Sequence, residues 1–149
     1  MSFTESAVIT ATARVRQMLR LTEALTDRLD TETAAFAAQR AQDVAHGLSE
    51  TQDMANAYRR EASQIKADPS VLAAAPVSER QALLQATRLF DAAVSTHARA
   101  VEAARHISEG LVRAIAGEVT EARGNPVGYG AGGQAAVGDG RAFAYNRTA

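Results

Sequence analysis

The span from Glu5 to Lys66 contains no proline and a single glycine, Gly47. Because proline and glycine are the residues that most disfavour helix interiors, their near absence over this length predicts helix. Small and apolar residues also recur at heptad-like spacing, and this pattern slips by about one residue midway, as in a coiled-coil stutter. The two series are Val8, Val15, Thr22, Leu25, Leu29 and Phe36, then Val44, Leu48, Thr51, Ala55, Tyr58, Ala62 and Ile65. We predict a long first helix over residues 5–66, with Gly47 as the candidate position of a bend or break.

A short connector and a second long helix follow. Asp68-Pro69 is a typical N-cap and first-turn pair, which predicts a single short turn over residues 69–75. Ser78 to Gln81 fits the capping-box pattern that opens a helix. Gly124 and the proline two residues later form a stop signal. We therefore predict a second helix over residues 79–123.

The chain has few large apolar side chains. Of its 149 residues 46% are hydrophobic, but 34 residues are alanine, only seven are Phe or Tyr, and none is Trp. Alanine favours helix while burying little apolar surface, so narrow helix–helix seams are expected instead of a thick core. The predicted fold is all-α: an elongated antiparallel hairpin or coiled-coil bundle of long helices, joined by the short turn. It forms one helical domain, residues 1–124.

The second helix leaves two interpretations open. Its predicted packing face comprises Leu83, Phe90, Val94, His97, Val101, Ala104, Leu111 and Ile115. Further apolar residues lie off that face, namely Leu84, Leu89, Ile107 and Val112. Either the helices cover one another fully, or this additional surface binds a partner helix.

Residues 125–149 differ sharply from the rest. Seven of the ten glycines and three of the seven aromatic residues fall after Arg123, the aromatics being Tyr129, Phe143 and Tyr145. Such a composition cannot build a core and predicts a flexible tail. The aromatic residues favour a binding tail over a simple spacer.

Several chemistries are disfavoured. Gly128 to Gly133 matches the dinucleotide pattern G-x-G-x-x-G, but it follows a predicted helix and lacks the strand and βαβ context, so no cofactor is predicted. His106 with Glu102 is a surface pair and not a metal site, and no carboxylate pair lies in a pocket-forming region. The 16 basic and 17 acidic residues are interspersed, which argues against nucleic-acid binding. We predict a protein that is not an enzyme.

The sequence contains no recognisable secretory signal or membrane-spanning segment, and this predicts the cellular location. The N-terminal residues show neither the basic region nor the apolar run of a secretory signal. No segment approaches the roughly 18 apolar residues of a membrane span. A cytoplasmic protein that is not embedded in the membrane is expected.

The tail and the helices together resemble a known family. Tyr129-Gly-Ala-Gly-Gly-Gln134 is similar to the Y-G-A-D-G-Q signature that follows the last helix of FlgN-type flagellar export chaperones. The order of long helix, connector, long helix and glycine-rich tail is similar as well. The chain departs from the family at Gly132, where the motif is acidic, and over Ser95 to Arg99, where relatives are rich in asparagine.

The resemblance implies a cytoplasmic chaperone of flagellar type III export. Such chaperones bind the C-terminal helices of hook-associated proteins, keep them unassembled, and deliver them to the export gate and its ATPase. Docking on the gate is expected at the tail motif, which comprises Tyr129, Gly130, Ala131, Gly133 and Gln134. Client binding is expected on the last helix and tail, at Val94, His97, Val101, Leu111, Ile115 and Phe143. The alternative is a structural coiled-coil or adaptor protein whose seams serve homo-oligomerisation, and the choice between monomer and homodimer stays open.

Overall fold

The structure, a computed structural model, describes residues 2–127 and consists of helices joined by short non-helical segments, without a strand in that range. Its elements are α1 (Glu5–Ala37), α2 (Ala41–Ala45), α3 (Leu48–Ala67), a 3₁₀ turn (Pro69–Leu72) and α4 (Val77–Val127). Residues 2–104 form one compact unit, and the residues from Arg105 onward form another. The predicted all-α class is confirmed.

Helix α1 buries one continuous face. It begins after Thr4, whose Oγ1 accepts a hydrogen bond of 3.2 Å from the Ala7 amide and so caps the first turn. The buried residues are Ala11, Val15, Met18, Thr22, Leu25, Glu32 and Ala35. Val15, Thr22 and Leu25 were expected on this face, whereas Glu32 was not. Val15 packs with Ala11 and Ala75 in a small core that Leu72 and Leu83 border.

The prediction of one helix over residues 5–66 is wrong, because α1 ends at Ala37. Gln39 adopts a left-handed conformation with φ of 59°. Its amide donates to Phe36 O at 3.0 Å, and the Arg40 amide donates to Ala35 O at 2.8 Å, which is the hydrogen-bond pattern of a Schellman cap. The break therefore centres on Gln39. Gly47 instead precedes α3 with an ordinary φ of −105°.

The break lets α3 reverse direction and pack beside α1. Near the start of α1, Arg14 Nη2 donates to Gln64 Oε1 at 2.6 Å. Near its end, Arg28 Nε donates to Thr51 Oγ1 at 2.9 Å. Residue numbers thus rise along α1 as they fall along α3, so the two helices are antiparallel.

The first part of α4 runs parallel to α1 in the same unit. Arg16 contacts Glu79 at 2.6 Å, and Glu32 contacts His97 at 3.1 Å. The aromatic rings of Tyr58 on α3 and Phe90 on α4 lie with centroids 4.7 Å apart. The predicted antiparallel hairpin with a short connecting turn is formed by α3 and α4, and α1 is a third helix beside them.

The connector largely follows its sequence signals. Asp68 Oδ1 accepts from the Ser70 amide at 3.2 Å, and Pro69 begins the 3₁₀ turn, as expected. Helix α4 starts at Val77 instead of residue 79, a difference within the usual uncertainty of helix ends. It continues to Val127, so the predicted stop at Gly124 is wrong.

Candidate binding surface

The distal part of α4 exposes an apolar face. Within residues 105–122, five large aliphatic side chains are between 38% and 61% exposed; they are Ile107, Leu111, Val112, Ile115 and Val119, and we call them the distal stripe. Four of them are spaced four residues apart and Val112 is adjacent to Leu111, which places all five on one side of the helix. An exposed apolar stripe of this kind is typical of a surface that binds another helix.

Two ion pairs that share Glu109 lie on a different side of the same segment. Arg105 Nε donates to Glu109 Oε1 at 3.0 Å, and Arg113 Nη2 lies 3.6 Å from Glu109 Oε2. The hydrogen bond from Arg105 is the main cause that lowers the pKa of the Glu109 carboxyl, and the positive charges of Arg105 and Arg113 add to it. These i, i+4 pairs support the helix without placing charge between Leu111 and Ile115.

Two glycines, Gly110 and Gly117, lie on a third side of this segment. A methyl group at Gly110 or Gly117 would meet no atom of the described residues within 4 Å. Both glycines therefore stand in open space inside a helix, where glycine is about 1 kcal/mol less favourable than alanine. No packing among the described residues explains their presence.

The residues predicted to bind a client fall into different environments. Leu111 and Ile115 belong to the distal stripe, and Val94 and Val101 are exposed on the part of α4 that lies in the first unit. His97 instead packs into the bundle, where its ring meets Phe36 edge-on with centroids 6.0 Å apart. Phe143 and the motif from Tyr129 to Gln134 lie outside the described residues.

Sequence reasoning missed a buried polar cluster in the first unit. Glu32 Oε2 accepts from Thr51 Oγ1 at 2.7 Å, and Glu32 Oε1 lies 3.1 Å from His97 Nε2. Arg28 in turn donates to Thr51 and pairs with Glu50 at 2.5 Å. A signal was present in the sequence, because Glu32 occupies the heptad position that follows Met18 and Leu25.

The described part of the chain holds no helix that is long and apolar enough to cross a membrane. This finding concerns residues 2–127 alone.

The sequence of the chain is similar to that of a known flagellar protein. No family model matches the chain, and no solved structure matches it. The resemblance to FlgN-type chaperones thus stays a prediction. The flagellar basal-body protein FlbY of Caulobacter vibrioides is 42% identical over 128 residues, which cover 85% of this chain and 86% of that protein. Identity at this level over nearly the full length of both proteins establishes common descent, and the chain belongs to the family of the flagellar basal-body protein FlbY.

Proposed function

We propose that this protein is a cytoplasmic chaperone of flagellar assembly that captures a helix of its client on the distal stripe. In this proposal the clients are hook-associated proteins, which it keeps unassembled and delivers to the type III export gate and its ATPase. The observation that carries the proposal is the exposure of five aliphatic side chains on one face of α4. The name of the FlbY relative supports a flagellar role.

The chemistry of the distal stripe suits helix capture. Full burial of a Val, Leu or Ile side chain contributes about 1.5–3 kcal/mol, and five such residues lie together. Part of this gain offsets the entropy that both partners lose on association. The remainder gives an affinity that permits release, as delivery of a client requires. Binding of this kind involves no catalysis.

The tail supplies the second half of the proposed role. Following the resemblance to FlgN-type chaperones, Tyr129 and the motif up to Gln134 dock on the export gate, and Phe143 adds to client contacts. Ordering a glycine-rich segment costs conformational entropy, which lowers net affinity and favours transient docking.

A structural role in the flagellum is the second candidate. It is favoured by the name of the FlbY relative, which refers to the basal body. In that case the distal stripe joins copies of this chain or attaches it to another component, and no client is delivered.

One pair of variants separates the two candidates. Leu111→Asp/Ile115→Asp places two charges in the distal stripe, whereas Leu84→Asp changes an equally exposed leucine of α4 outside it. Binding is measured against the purified C-terminal helices of the hook-associated proteins, and oligomeric state by analytical ultracentrifugation. The chaperone role predicts that only the double variant loses client binding while the oligomeric state stays constant. Loss of an oligomer with client binding intact supports the structural role instead.

The gate-docking role is tested separately. Tyr129→Ala should abolish capture of the export gate from a lysate of the native bacterium while leaving client capture intact. Loss of both partners together would show that the tail does not act as a distinct docking segment.

A further inference from the structure

A groove runs between α1 and α4 in the unit formed by residues 2–104. It consists of two adjoining cavities of about 330 and 380 Å³ that share Thr26, Asp27 and Leu89. The α4 wall comprises Ala82, Gln85, Ala86, Leu89, Ala92, Ala93 and Thr96, and the α1 wall comprises Glu23, Thr26, Asp27 and Asp30. From Ala82 to Thr96 the groove extends about 21 Å at 1.5 Å per residue. This length matches about four turns of a helix.

The floor of the groove is apolar and shallow. Ala86 and Ala93 are buried at its base, and the neighbouring Ala82 and Ala92 are exposed, so only methyl groups separate the backbone of α4 from an approaching helix. Leu89 stands 57% exposed between the two cavities, where burial of its side chain would contribute to binding. Small residues that permit close approach, beside one exposed leucine, suit an incoming helix with a small apolar face.

The α1 edge of the groove carries uncompensated negative charge. Glu23, Asp27 and Asp30 form no ion pair with any side chain of residues 2–122, the part of the chain whose side chains the structure describes. Other carboxylates of the same unit do, since Glu61 pairs with Arg14 and Glu79 with Arg16. Three unpaired carboxylates at intervals of four and three residues lie along one side of α1, facing the same strip of surface. A ligand with matching positive charge would relieve their mutual repulsion.

We propose that this groove binds a basic amphipathic helix of a partner protein. The helix lays small apolar residues on the alanine wall of α4 and presents Lys or Arg, at the same intervals, to Glu23, Asp27 and Asp30. The site is separate from the distal stripe, so the inference goes beyond the proposed function and stands without it. Charge disfavours the distal stripe of a second copy as the occupant. Between Arg105 and Ala122, two arginines are offset by three glutamates.

The test uses the full chain and a synthetic peptide of about five helical turns. The peptide carries alanine and leucine on one face and arginine beside it, and a matched peptide has glutamate at every arginine. Fluorescence anisotropy measures binding from about 50 to 500 mM salt. We expect the basic peptide alone to bind, with an affinity that falls as salt rises. Binding of both peptides alike overturns the proposal.

Variants then locate the site. Asp27→Arg/Asp30→Arg should weaken binding of the basic peptide at least about tenfold, and Asp27→Asn/Asp30→Asn should weaken it less. Leu89→Ser should weaken it, whereas Leu84→Ser, at a leucine 51% exposed outside the groove, should not. All of these positions are on the surface, and circular dichroism confirms that each variant folds. Unchanged binding by the charge-reversal variant contradicts the assignment.

Two further measurements address the other occupants. If the wild type is a dimer and Asp27→Arg/Asp30→Arg is a monomer, the groove is an interface between copies and the proposal fails. If Arg141→Glu/Arg147→Glu binds the basic peptide markedly more tightly than the wild type, the tail of the chain itself occupies the groove, and the proposal fails as well. We expect neither change.

Discussion

His97 Nε2 lies 3.1 Å from Glu32 Oε1, and this contact links α4 to α1. The other oxygen of the same carboxylate accepts from Thr51 on α3, so one buried side chain joins three helices. A buried charge is tolerated only where partners satisfy its hydrogen-bonding capacity. Glu32 therefore fixes the register of the three helices in residues 2–104.

Removal of this carboxylate should be costly. Glu32→Ala leaves Thr51 and His97 without their shared partner inside the bundle, and we expect a loss of about 1–3 kcal/mol in the free energy of unfolding. Urea denaturation followed by circular dichroism measures it. The control is Asp30→Ala, an exposed acid on α1, which should change stability by less than about 0.5 kcal/mol. Equal losses in the two variants would refute a special role for Glu32.

The left-handed residue that ends α1 offers a stabilising substitution. A side chain at φ of 59° is strained, and glycine relieves that strain, so Gln39→Gly should raise the free energy of unfolding by about 1 kcal/mol. Ala38→Gly is the matched control, because Ala38 has an ordinary φ of −86° and gains nothing from glycine. It should lose about 0.5–1 kcal/mol. Chemical denaturation of both variants decides the point, and a destabilised Gln39→Gly protein would contradict the cap geometry.

The Arg16–Glu79 pair should make stability depend on pH. Arg16 donates to Glu79 Oε1 through Nε at 2.9 Å and Nη2 at 2.6 Å, and this hydrogen bonding lowers the pKa of the Glu79 carboxyl. A carboxyl whose pKa is lower in the folded state stabilises the fold above its unfolded pKa, and this contribution is lost as pH falls through the folded value. Arg16→Ala should therefore lower the melting temperature at pH 7, with a smaller effect below about pH 4.

The control for this pair is Arg20→Ala, one helical turn further along α1. Arg20 makes no ion pair with another described residue, so its removal should change the melting temperature little at either pH. The same pH dependence in both variants would show that general charge effects, and not the Glu79 contact, account for the result.

The glycines of distal α4 should weaken its helix. Since no atom obstructs a methyl group at Gly110, Gly110→Ala gains helix propensity of about 1 kcal/mol without a clash. Amide hydrogen exchange between residues 105 and 122 should slow about fivefold, in line with that free energy. Ala114→Gly, in the same segment, should accelerate exchange by a similar factor. Unchanged exchange in both variants would show that propensity does not limit the stability of this segment.

Periodicity, helix propensity and capping residues are enough to predict the helical class, the buried face of α1 around Val15 and Leu25, and the turn that begins at Pro69. Each of these signals involves residues that lie close together in the sequence, so it can be recognised without any tertiary contact. The FlgN-like tail motif at Tyr129 is also a sequence-level observation, and it lies outside the described residues.

The end of the first helix and the contacts that its faces make depend instead on long-range packing. Glutamine at position 39 does not indicate a left-handed helix cap, as glycine would. The left-handed conformation of Gln39 is set by the chain reversal that packs α3 against α1. Glu32 occupies a heptad position on the buried face of α1, but its partners Thr51 and His97 come from other helices and are not indicated by the residues around it. Asp27 and Asp30, by contrast, have no ion-pair partner among the side chains of residues 2–122, because α4 brings alanines to that edge of α1 and no arginine. Long-range packing sets these environments, and residue pairs such as Glu32 and His97, 65 positions apart, leave no local pattern in the sequence.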